Sequence, residues 1–499
     1  MNANWDTLID ETALAGLIPS EYSHFAVPVK DSLVAFLGGL PPAVQEQILA
    51  DQLSLPPSAN FSRRLTRLAQ CCPVLHKLGQ VMARDQRLAP ELRIELRTLE
   101  SMPPRFDLDT IRAILVRELG DLEFRSLQLL PPAIAEASVA VVIPFTDLSR
   151  PDQPEGVFKI LKPGIDERLH LELDLLAKVG ALLDDRSHEL GIPQLDYRET
   201  FEQVRTKLSH ELQLDKEQDH LRTAARLYAD QSEIQIPRVL DHCTSCVTAM
   251  ERIYGEKVTE HRFDTPAASR ALAVRLARAM IAQPIFSHQE RALFHCDPHA
   301  GNFIAANDGR LGILDWSLVG HLGELERAML VQVLLGAITL RGEKITAVLK
   351  SLDNRGRCDL FELRSCVERW LARMRQGQFP GLTWLTGLLD EATQVSRLSM
   401  SSDMVMFRKS LLTLTGVLHE VGACEFHLDR VVLGEFLRSY VQEWPSRWLV
   451  SPLSRSFGTR LSNFDIAETL LNLPSAACRY WQAIWRDTLA MRNLSSVCL

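Results

Sequence analysis

The chain has 499 residues, of which 46% are hydrophobic and 24% charged, and its formal net charge at pH 7 is -8. This length suits two or three packed lobes, and the acidic balance argues against a nucleic-acid-binding protein. The 10 irregularly spaced cysteines exclude a small disulfide-framed secreted protein. No signal peptide is evident, and no stretch reaches the ~18 apolar residues of a membrane span. We expect a cytoplasmic protein, or one peripheral at a membrane.

The N-terminal part of the chain is predicted to be helical. Residues 1–60 read as short helices broken by Pro and Gly. A stronger helical segment is predicted over 62–100, where apolar residues such as Leu92 and Leu96 recur at helical spacing. The two prolines of residues 102–104 (MPP) should end that segment.

From about residue 139 the sequence becomes rich in β-forming residues. Four short strands are predicted, at 139–145, 156–161, 236–241 and 247–253. The turn-like residues 149–154 (SRPDQP) separate the first two strands. A long helical region is predicted over 166–230, between the second strand and the third.

The C-terminal half is predicted to be helical apart from one hairpin. Residues 264–266 (DTP) open a helix with a capping residue followed by Pro in the first turn. Residues 303–306 and 311–315 read as two strands joined by the turn 307–310 (NDGR), which supplies positive-φ positions. Beyond about His321 the chain is predicted to be almost wholly helical.

The sharpest motif is HCDPHAGN at residues 295–302, which Asp315 follows at the end of the second hairpin strand. Phosphoryl transfer needs Mg²⁺ to neutralise phosphate charge and a carboxylate to orient the nucleophile. Asp297 suits the orienting role, and Asn302 with Asp315 suits metal coordination by hard oxygen ligands. An isolated D-x-x-x-x-N usually has only a structural role in a turn. Here the motif residues lie close together in the sequence and a strand-borne aspartate follows them, which favours phosphoryl transfer.

A second element is Lys159, which lies within the predicted strand 156–161 (GVFKIL) as a kinase lysine does. Such a lysine needs a helix-borne glutamate, and Glu211 and Glu217 are candidates, although either alone could lie on a solvated helix face. Residues 132–139 (PAIAEASV) carry small side chains that would let the backbone approach phosphates, or they form an ordinary turn.

Together these residues resemble the UbiB/AarF/ADCK family of atypical kinases, over about residues 70–460. The matching segments are 77–80 (KLGQ, the family's KxGQ), 88–91, 102–104, 137–138, 159, 162–165, 211, 217, 250–251, 295–302, 407–410 and 416–417. The resemblance implies an α+β, protein-kinase-like two-lobed fold. It would have a small β-sheet N-lobe, a mostly helical C-lobe, family-specific N-terminal helices and a helical C-terminal extension.

The resemblance also implies an atypical kinase or ATPase with ATP and Mg²⁺ as cofactors. The catalytic residues would be Asp297, Lys159 and Glu217. The nucleotide would be bound by Lys159, Ala135, Ala137, Ser138, Met250, Glu251, Lys77 and Gln80. The metal ligands would be Asn302 and Asp315. We expect Lys159 and Glu217 to form an ion pair.

The helix that carries Lys77 and Gln80 is expected to pack over the nucleotide site. The two residues are one helical turn apart and share a face, with Gly79 between them allowing close backbone approach. A buried polar pair needs partners, and the nearest carboxylates that the kinase interpretation offers are Asp297 and Asp315.

The resemblance implies a role in isoprenoid quinone biosynthesis or lipid handling, with no nucleic acid. The partners would be ATP, a quinone precursor or lipid, and proteins of a quinone-biosynthesis complex. The expected domains are an N-terminal helical extension (1–60), the KxGQ segment (61–130), the kinase-like N-lobe (131–255), the kinase-like C-lobe (256–460) and a helical tail (461–499).

Some residues depart from the family pattern. Gln213 replaces the second carboxylate of the family's E-x-D motif, Asp315 is followed by Trp and Ser instead of Phe and Gly, and Val141 stands where Gln is usual. Glu136 would repel phosphates if it faced them. Two alternatives stay open: a small-molecule kinase of the aminoglycoside- or choline-kinase type, and a nucleotide-binding pseudokinase that acts as a switch or scaffold.

Overall fold

The computed structural model describes residues 5–18, 20–83, 88–100, 107–149, 155–190, 201–202, 205, 208–376, 380–422 and 426–495. The predicted helix end at 102–104 and most of the predicted turn at 149–154 lie outside the described residues. The chain divides into two compact units. The first comprises Met1–Ala229, Ile236–Tyr254 and Leu314–Leu318, and the second comprises Asp230–Gln235, Gly255–Ile313 and Val319–Leu499.

Among the described residues, the helices in chain order are α1 (Trp5–Leu8), α2 (Glu11–Leu17), α3 (Ala26–Gly38), α4 (Pro42–Leu53), α5 (Phe61–Gln70), α6 (Pro73–Met82), α7 (Pro90–Arg97), α8 (Leu108–Leu119), α9 (Ile165–Arg186), α10 (Leu214–Leu227), α11 (Pro266–Ala277), α12 (Gln283–Ile285), α13 (Glu324–Ile338), α14 (Gly342–Ser351), α15 (Leu360–Arg375), α16 (Leu382–Ser396), α17 (Ser402–Gly422), α18 (Leu428–Arg447) and α19 (Asn463–Ser495). The strands are β1 (Leu127–Leu129), β2 (Ala135–Glu136), β3 (Ala140–Asp147), β4 (Gly156–Leu161), β5 (Ile234–Gln235), β6 (Val247–Glu251), β7 (Gly255–Lys257), β8 (Arg291–His295), β9 (Phe303–Ala306), β10 (Leu311–Ile313) and β11 (Val319–Gly323).

The helical segment predicted over 62–100 is three helices, α5, α6 and α7, followed by a 3₁₀ turn at Thr98–Glu100. The break between α5 and α6 falls at Cys71 and Cys72, directly before Pro73. A proline has no amide hydrogen and cannot continue the ladder of the preceding helix, but it is well tolerated in the first turn of a new one.

The first unit contains an antiparallel sheet in the order β1-β3-β4-β6, with β2 paired to β3. One face of this sheet packs on α8, with Ile111 and Leu115 of the helix in the same buried cluster as Phe145 and Phe158 of the sheet. The two phenylalanine rings stack with centroids 3.9 Å apart. Burial of these large apolar side chains fixes which face of β3 and β4 is left for polar residues.

Of the four predicted strands, the one at 156–161 is confirmed at its predicted bounds, and those at 139–145 and 247–253 are confirmed with small shifts. The strand predicted at 236–241 is wrong. Strand pairing in this region is limited to β5, which ends just before Ile236, and to an isolated bridge between Val239 and Met250. Pro237 gives the reason, since a residue without an amide hydrogen interrupts a strand.

The second unit contains a four-stranded sheet in the order β5-β10-β9-β7 and a two-stranded sheet of β8 and β11. The predicted hairpin is confirmed as β9 and β10, and Gly309 in its turn has a φ of 86°. Thr265 caps α11 as predicted, by accepting a hydrogen bond from the amide of Ala268. The remainder of this unit is mainly helical, and no helix among its described residues, or those of the first unit, is long and apolar enough to cross a bilayer.

The N-terminus of α6 is held by two charged residues of α9. Glu172 accepts a hydrogen bond of 3.0 Å from the amide of Val74 and one of 2.6 Å from Arg168. Arg168 also donates to the carbonyl of Cys71. Glu172 is fully buried, and burial raises the pKa of its carboxyl to about 7 although Arg168 lowers it.

This raised pKa predicts a pH-dependent stability that Glu172→Gln removes. The folded state binds a proton more tightly than the unfolded state, so the contribution of Glu172 to the free energy of unfolding is greatest at low pH and falls as the pH rises through about 7. Denaturant unfolding should show the stability of the wild type relative to Glu172→Gln falling between pH 5 and pH 8, by on the order of 2 kcal/mol.

A matched control is Glu167→Gln, at an exposed position of the same helix. Its stability relative to the wild type should stay constant over the same pH interval. A pH-independent difference between the wild type and Glu172→Gln would contradict the assignment of the raised pKa to Glu172.

Candidate functional site

Three charged side chains meet on the polar side of β4 in the first unit. Lys159 projects from β4, and its Nζ lies 2.8 Å from both carboxylate oxygens of Glu217 on α10. The same Nζ lies 3.3 Å from Oδ2 of Asp315. The predicted ion pair between Lys159 and Glu217 is therefore confirmed.

The three side chains of this cluster differ in exposure, and burial and the neighbouring charges together shift the pKa of each. Burial lowers the pKa of Lys159, but Asp315 and Glu217 outweigh burial and raise it above its ordinary value. Burial raises the pKa of Glu217 to about 7 against the opposing effect of Lys159. Burial also acts to raise the pKa of Asp315, but Lys159 and Ser317 outweigh it and hold this pKa far below its usual range. Asp315 is thus ionised at neutral pH, and 38% of its side chain is exposed.

Local backbone geometry directs the carboxylate of Asp315. Asp315 follows strand β10 with a φ of 45°, in the left-handed region that residues other than Gly seldom adopt. Its Oδ1 accepts a hydrogen bond of 3.1 Å from the amide of Ser317. The next side chain, Trp316, is 1% exposed and belongs to the buried interior.

A second group of predicted site residues meets at Glu211, just before α10. Nζ of Lys77 on α6 lies 2.5 Å from Oε1 of Glu211, and the hydroxyl of Ser138 donates to Oε2 over 3.1 Å. The expected carboxylate partners of Lys77 were Asp297 and Asp315. The structure pairs Lys77 with Glu211 instead, and the charge of Lys77 also lowers the pKa of Asp315.

Gln80 differs from the expectation that it would face a catalytic carboxylate. Its Nε2 donates to the carbonyl of Leu99 over 3.0 Å and lies 3.2 Å from the ring of His76. Gly79 packs closely against the same segment, because a Cβ atom there would lie 2.6 Å from Leu99 and 3.3 Å from Leu96. The close approach that Gly79 permits is therefore to these two leucines, and Gln80 is turned toward the same segment.

The small-residue segment leads from β2 into β3. Ala135 lies in β2, and the amide of Ala137 donates to the carbonyl of Ala140, which forms a tight turn before β3. Glu136 is paired with Lys162 over 2.8 Å, and only 5% of its side chain is exposed. Its charge is therefore neutralised within the protein.

Two of the predicted nucleotide-binding residues, Met250 and Glu251, end strand β6. Met250 pairs with Val157 in the sheet register and is buried. Glu251 exchanges hydrogen bonds with Arg238, since its amide donates to the Arg238 carbonyl and its carboxylate accepts from the Arg238 amide. These two hydrogen bonds fix the path of the backbone where it leaves β6.

In the second unit, residues 295–302 form a loop braced from within. The amide of Asp297 donates to Nδ1 of His295 over 3.1 Å, and Nδ2 of Asn302 donates to the Asp297 carbonyl over 3.0 Å. Ser410 of α17 donates to the carbonyl of His295 over 2.8 Å. An asparagine that donates through its nitrogen presents Oδ1 as an acceptor, and Oδ1 is the atom through which Asn302 would bind a cation.

No cluster of three or more His, Cys, Asp or Glu side chains suited to a metal ion occurs in the part of the chain that the structure describes. A nucleotide-linked Mg²⁺ does not need one, because it takes one or two protein oxygens together with phosphate oxygens and water. The ionised carboxylate of Asp315 in the first unit and the amide oxygen of Asn302 in the second are each an oxygen donor of that kind.

Sequence reasoning missed several polar residues that support these side chains. Gln218 of α10 is buried and donates to the carbonyl of Thr244 and the hydroxyl of Thr248. His220 bonds the carbonyl of Trp316. Gln218 is the residue after the predicted helix-borne glutamate and His220 lies three positions after it, so polar residues this close to Glu217 were the available signal.

Comparison with known proteins supports a kinase-like assignment. A family model for the ABC1 atypical kinase-like domain matches residues 98–349. The chain is 29% identical over 274 residues to "Protein ACTIVITY OF BC1 COMPLEX KINASE 3, chloroplastic" of Arabidopsis thaliana, which covers 54% of this chain and 37% of that protein. It is 26% identical over 373 residues to "Probable protein kinase UbiB" of Xanthomonas oryzae pv. oryzae (strain MAFF 311018), which covers 70% of this chain and 65% of that protein.

The chain therefore spans less than two thirds of the length of these curated relatives, and little more than a third in the plant protein. A solved structure, "The complex structure of Rv3197-erythromycin from Mycobacterium tuberculosis", is similar with a TM-score of 0.47 and 21% identity, covering 64% of this chain and 80% of that one.

The family match covers just over half of the chain and includes Lys159, Glu217, Asp297, Asn302 and Asp315. The expected mixed α+β, kinase-like fold is confirmed. The chain belongs to the ABC1 atypical kinase-like family, the UbiB/AarF/ADCK group of kinase-related proteins.

Proposed function

We propose that this chain is an ATP-binding, Mg²⁺-dependent atypical kinase or ATPase of the UbiB type. The observation that carries the proposal is the cluster of Lys159, Glu217 and Asp315. A lysine held by a helix-borne glutamate beside an ionised aspartate is the arrangement that phosphoryl-transfer enzymes use to hold nucleotide phosphates and their metal ion.

The roles divide by side-chain chemistry. Lys159, oriented by Glu217, offers an ammonium to the phosphates. Asp315 and Asn302 supply oxygen ligands for Mg²⁺, which when bound neutralises phosphate charge. Asp297 is a carboxylate that can orient an attacking hydroxyl or water and accept its proton.

The remaining proposed nucleotide contacts come from backbone and small side chains. They are Ala135, Ala137 and Ser138 of the small-residue segment, Met250 and Glu251 at the end of β6, and Lys77 and Gln80 of α6. Ser138 is the best supported, because its bond to Glu211 ties the segment to Lys77. Gln80 is the least supported, because its amide is engaged by Leu99.

The acceptor and the partners are proposed from the relatives. Several of them are named UbiB, and on that basis we infer a role in isoprenoid quinone biosynthesis or lipid handling. The acceptor would be a quinone precursor or lipid, and the partners would be proteins of that pathway. The domain boundaries at 60, 130, 255 and 460 and the cytoplasmic or membrane-peripheral location stay predictions.

Asp315→Asn tests the metal assignment. Loss of the ionised carboxylate removes a hard oxygen ligand and also one of the two anions beside Lys159. In a thermal-shift titration, the stabilisation of the wild type by ATP with Mg²⁺ should be lost in Asp315→Asn, with affinity weaker by about a hundredfold, a typical cost of removing a charged ligand.

Asp308→Asn is a matched control, since Asp308 is an exposed residue of the β9–β10 turn that pairs with Arg310. It should keep the full response to ATP with Mg²⁺. An undiminished shift in Asp315→Asn would refute the metal assignment, and a wild type that shows no shift at all would refute the proposed function.

Lys77→Ala tests whether α6 contributes to nucleotide binding. Lys77 neutralises Glu211 and lowers the pKa of Asp315 through its charge. Its removal leaves an excess of negative charge where polyphosphate is proposed to bind. The KM for ATP should rise about threefold to tenfold, as expected for one screened charge, while the protein stays folded.

The control for Lys77→Ala is Lys30→Ala, which removes a similarly covered lysine from an ion pair with Asp6 in the same unit. Its KM for ATP should equal that of the wild type. Equal KM values for all three proteins would exclude Lys77 from the nucleotide site.

A further inference from the structure

Helix α10 bonds three different parts of the first unit through neighbouring side chains. Glu217 holds Lys159 on β4. Gln218 donates to the carbonyl of Thr244 over 2.9 Å and to the hydroxyl of Thr248 over 3.0 Å, at the start of β6. His220, two residues further along the helix, bonds the carbonyl of Trp316 over 2.9 Å. The helix that orients the lysine is therefore also bonded to the residue that follows Asp315.

The backbone of Asp315 needs such support. Its φ of 45° lies in the left-handed region, where an L-residue other than Gly is strained, and such conformations persist only where the surroundings hold them. With this φ, the carboxylate of Asp315 reaches Lys159 and also caps the amide of Ser317. The conformation that strains the backbone is the one that directs the carboxylate.

The contact from His220 acts on the peptide unit next to this strained residue. A carbonyl oxygen can only accept, so Nδ1 of His220 carries the hydrogen in this bond. The ring of Trp316 is buried, with its centroid 6.2 Å from that of Tyr228, the residue that directly follows α10. Helix α10 and its C-terminal cap thus contact both the backbone carbonyl and the side chain of Trp316.

We propose that His220 is a positioning residue that holds Asp315 in its left-handed conformation by donating to the carbonyl of Trp316. This inference rests on the proposed function, in which Asp315 is a ligand of Mg²⁺. Gln218 has the supporting task of fixing α10 on the sheet, so that His220 and Glu217 keep a constant distance from β4. Without the bond from His220, the backbone around Asp315 relaxes and its carboxylate turns away, while Lys159 and Glu217 stay paired.

The test compares His220→Leu with His220→Asn. Leucine fills a similar volume and cannot donate, whereas Nδ2 of asparagine is as many bonds from Cα as Nδ1 of histidine and can donate to the same carbonyl. His170→Leu, at an exposed position of α9, serves as the control for loss of an imidazole.

The first readout needs no nucleotide. Hydrogen exchange by mass spectrometry of peptides that contain residues 314–318 reports on the amide of Ser317, which is bonded to Asp315. Exchange in this segment should be faster by about threefold to tenfold in His220→Leu, the range expected for one lost hydrogen bond. It should equal the wild-type rate in His220→Asn and His170→Leu, and peptides from β4 should be unchanged throughout.

The second readout is the concentration of Mg²⁺ that gives half of the thermal shift at saturating ATP. It should rise by about threefold to tenfold in His220→Leu and return to the wild-type value in His220→Asn. If His220→Leu does not fold, His220→Gln replaces it, because its donor lies one bond further from Cα and should not restore the contact.

The outcomes separate this inference from the function on which it rests. A wild type with no response to ATP and Mg²⁺ overturns the proposed function, but the exchange data still decide whether His220 holds the Asp315 segment. Unchanged exchange at 314–318 in His220→Leu overturns the positioning role, whatever the nucleotide response. Equal defects in His220→Asn and His220→Leu would also overturn it, because the donor would then not be what matters.

Discussion

The ion pair between Lys159 and Glu217 is the interaction on which the rest of the first unit depends. Both side chains are largely removed from water, at 12% and 1% exposure. A buried charge is tolerated only when it is paired and hydrogen-bonded, and breaking such a pair costs more than forming it gains. The lysine must therefore lie on a strand with a fixed register, and the glutamate on a helix that cannot move away from that strand.

The packing of the unit meets both requirements. The register of β4 between β3 and β6 is set by the aromatic and aliphatic side chains that it buries against α8. Helix α10 is attached to β6 by Gln218, whose amide is satisfied by acceptors of the strand and its preceding turn. A further ion pair fixes α6, since Lys77 joins this helix to Glu211 in the segment before α10. Directional contacts of this kind allow fewer alternative packings than apolar burial alone, and they make the charged cluster a rigid feature of the fold.

Whether a feature of the fold or the candidate site could be predicted from the sequence depends on whether neighbouring residues or contacts between distant segments determine it. The hairpin after Asn302 and the strand around Lys159 follow from local patterns, namely an Asn-Asp-Gly turn and a run of β-forming residues. The ion pair between Lys159 and Glu217 is predictable because the kinase pattern pairs a strand lysine with a glutamate on a later helix. The partner of Gln80 could not be predicted, because it is the backbone carbonyl of Leu99, 19 residues away, and no local pattern records which carbonyl packing brings near. The strand predicted at 236–241 is wrong because Pro237 interrupts the apolar run.

The charge balance of the cluster gives a physical meaning to one departure from the family pattern. Lys77 and Lys159 carry two positive charges, and Glu211, Glu217 and Asp315 could carry three negative ones. The pKa of Glu217 is about 7 chiefly because of burial, but Asp315 and Glu211 also raise it by repelling its charge. The pattern of the family would place a further carboxylate at position 213, where it would raise this pKa again and weaken the hold of Glu217 on Lys159. The amide of Gln213 adds no charge, although its Oε1 is buried without a hydrogen-bond partner among the described residues. Gln213 therefore spares Glu217 the repulsion of a further carboxylate, at the cost of one unsatisfied acceptor.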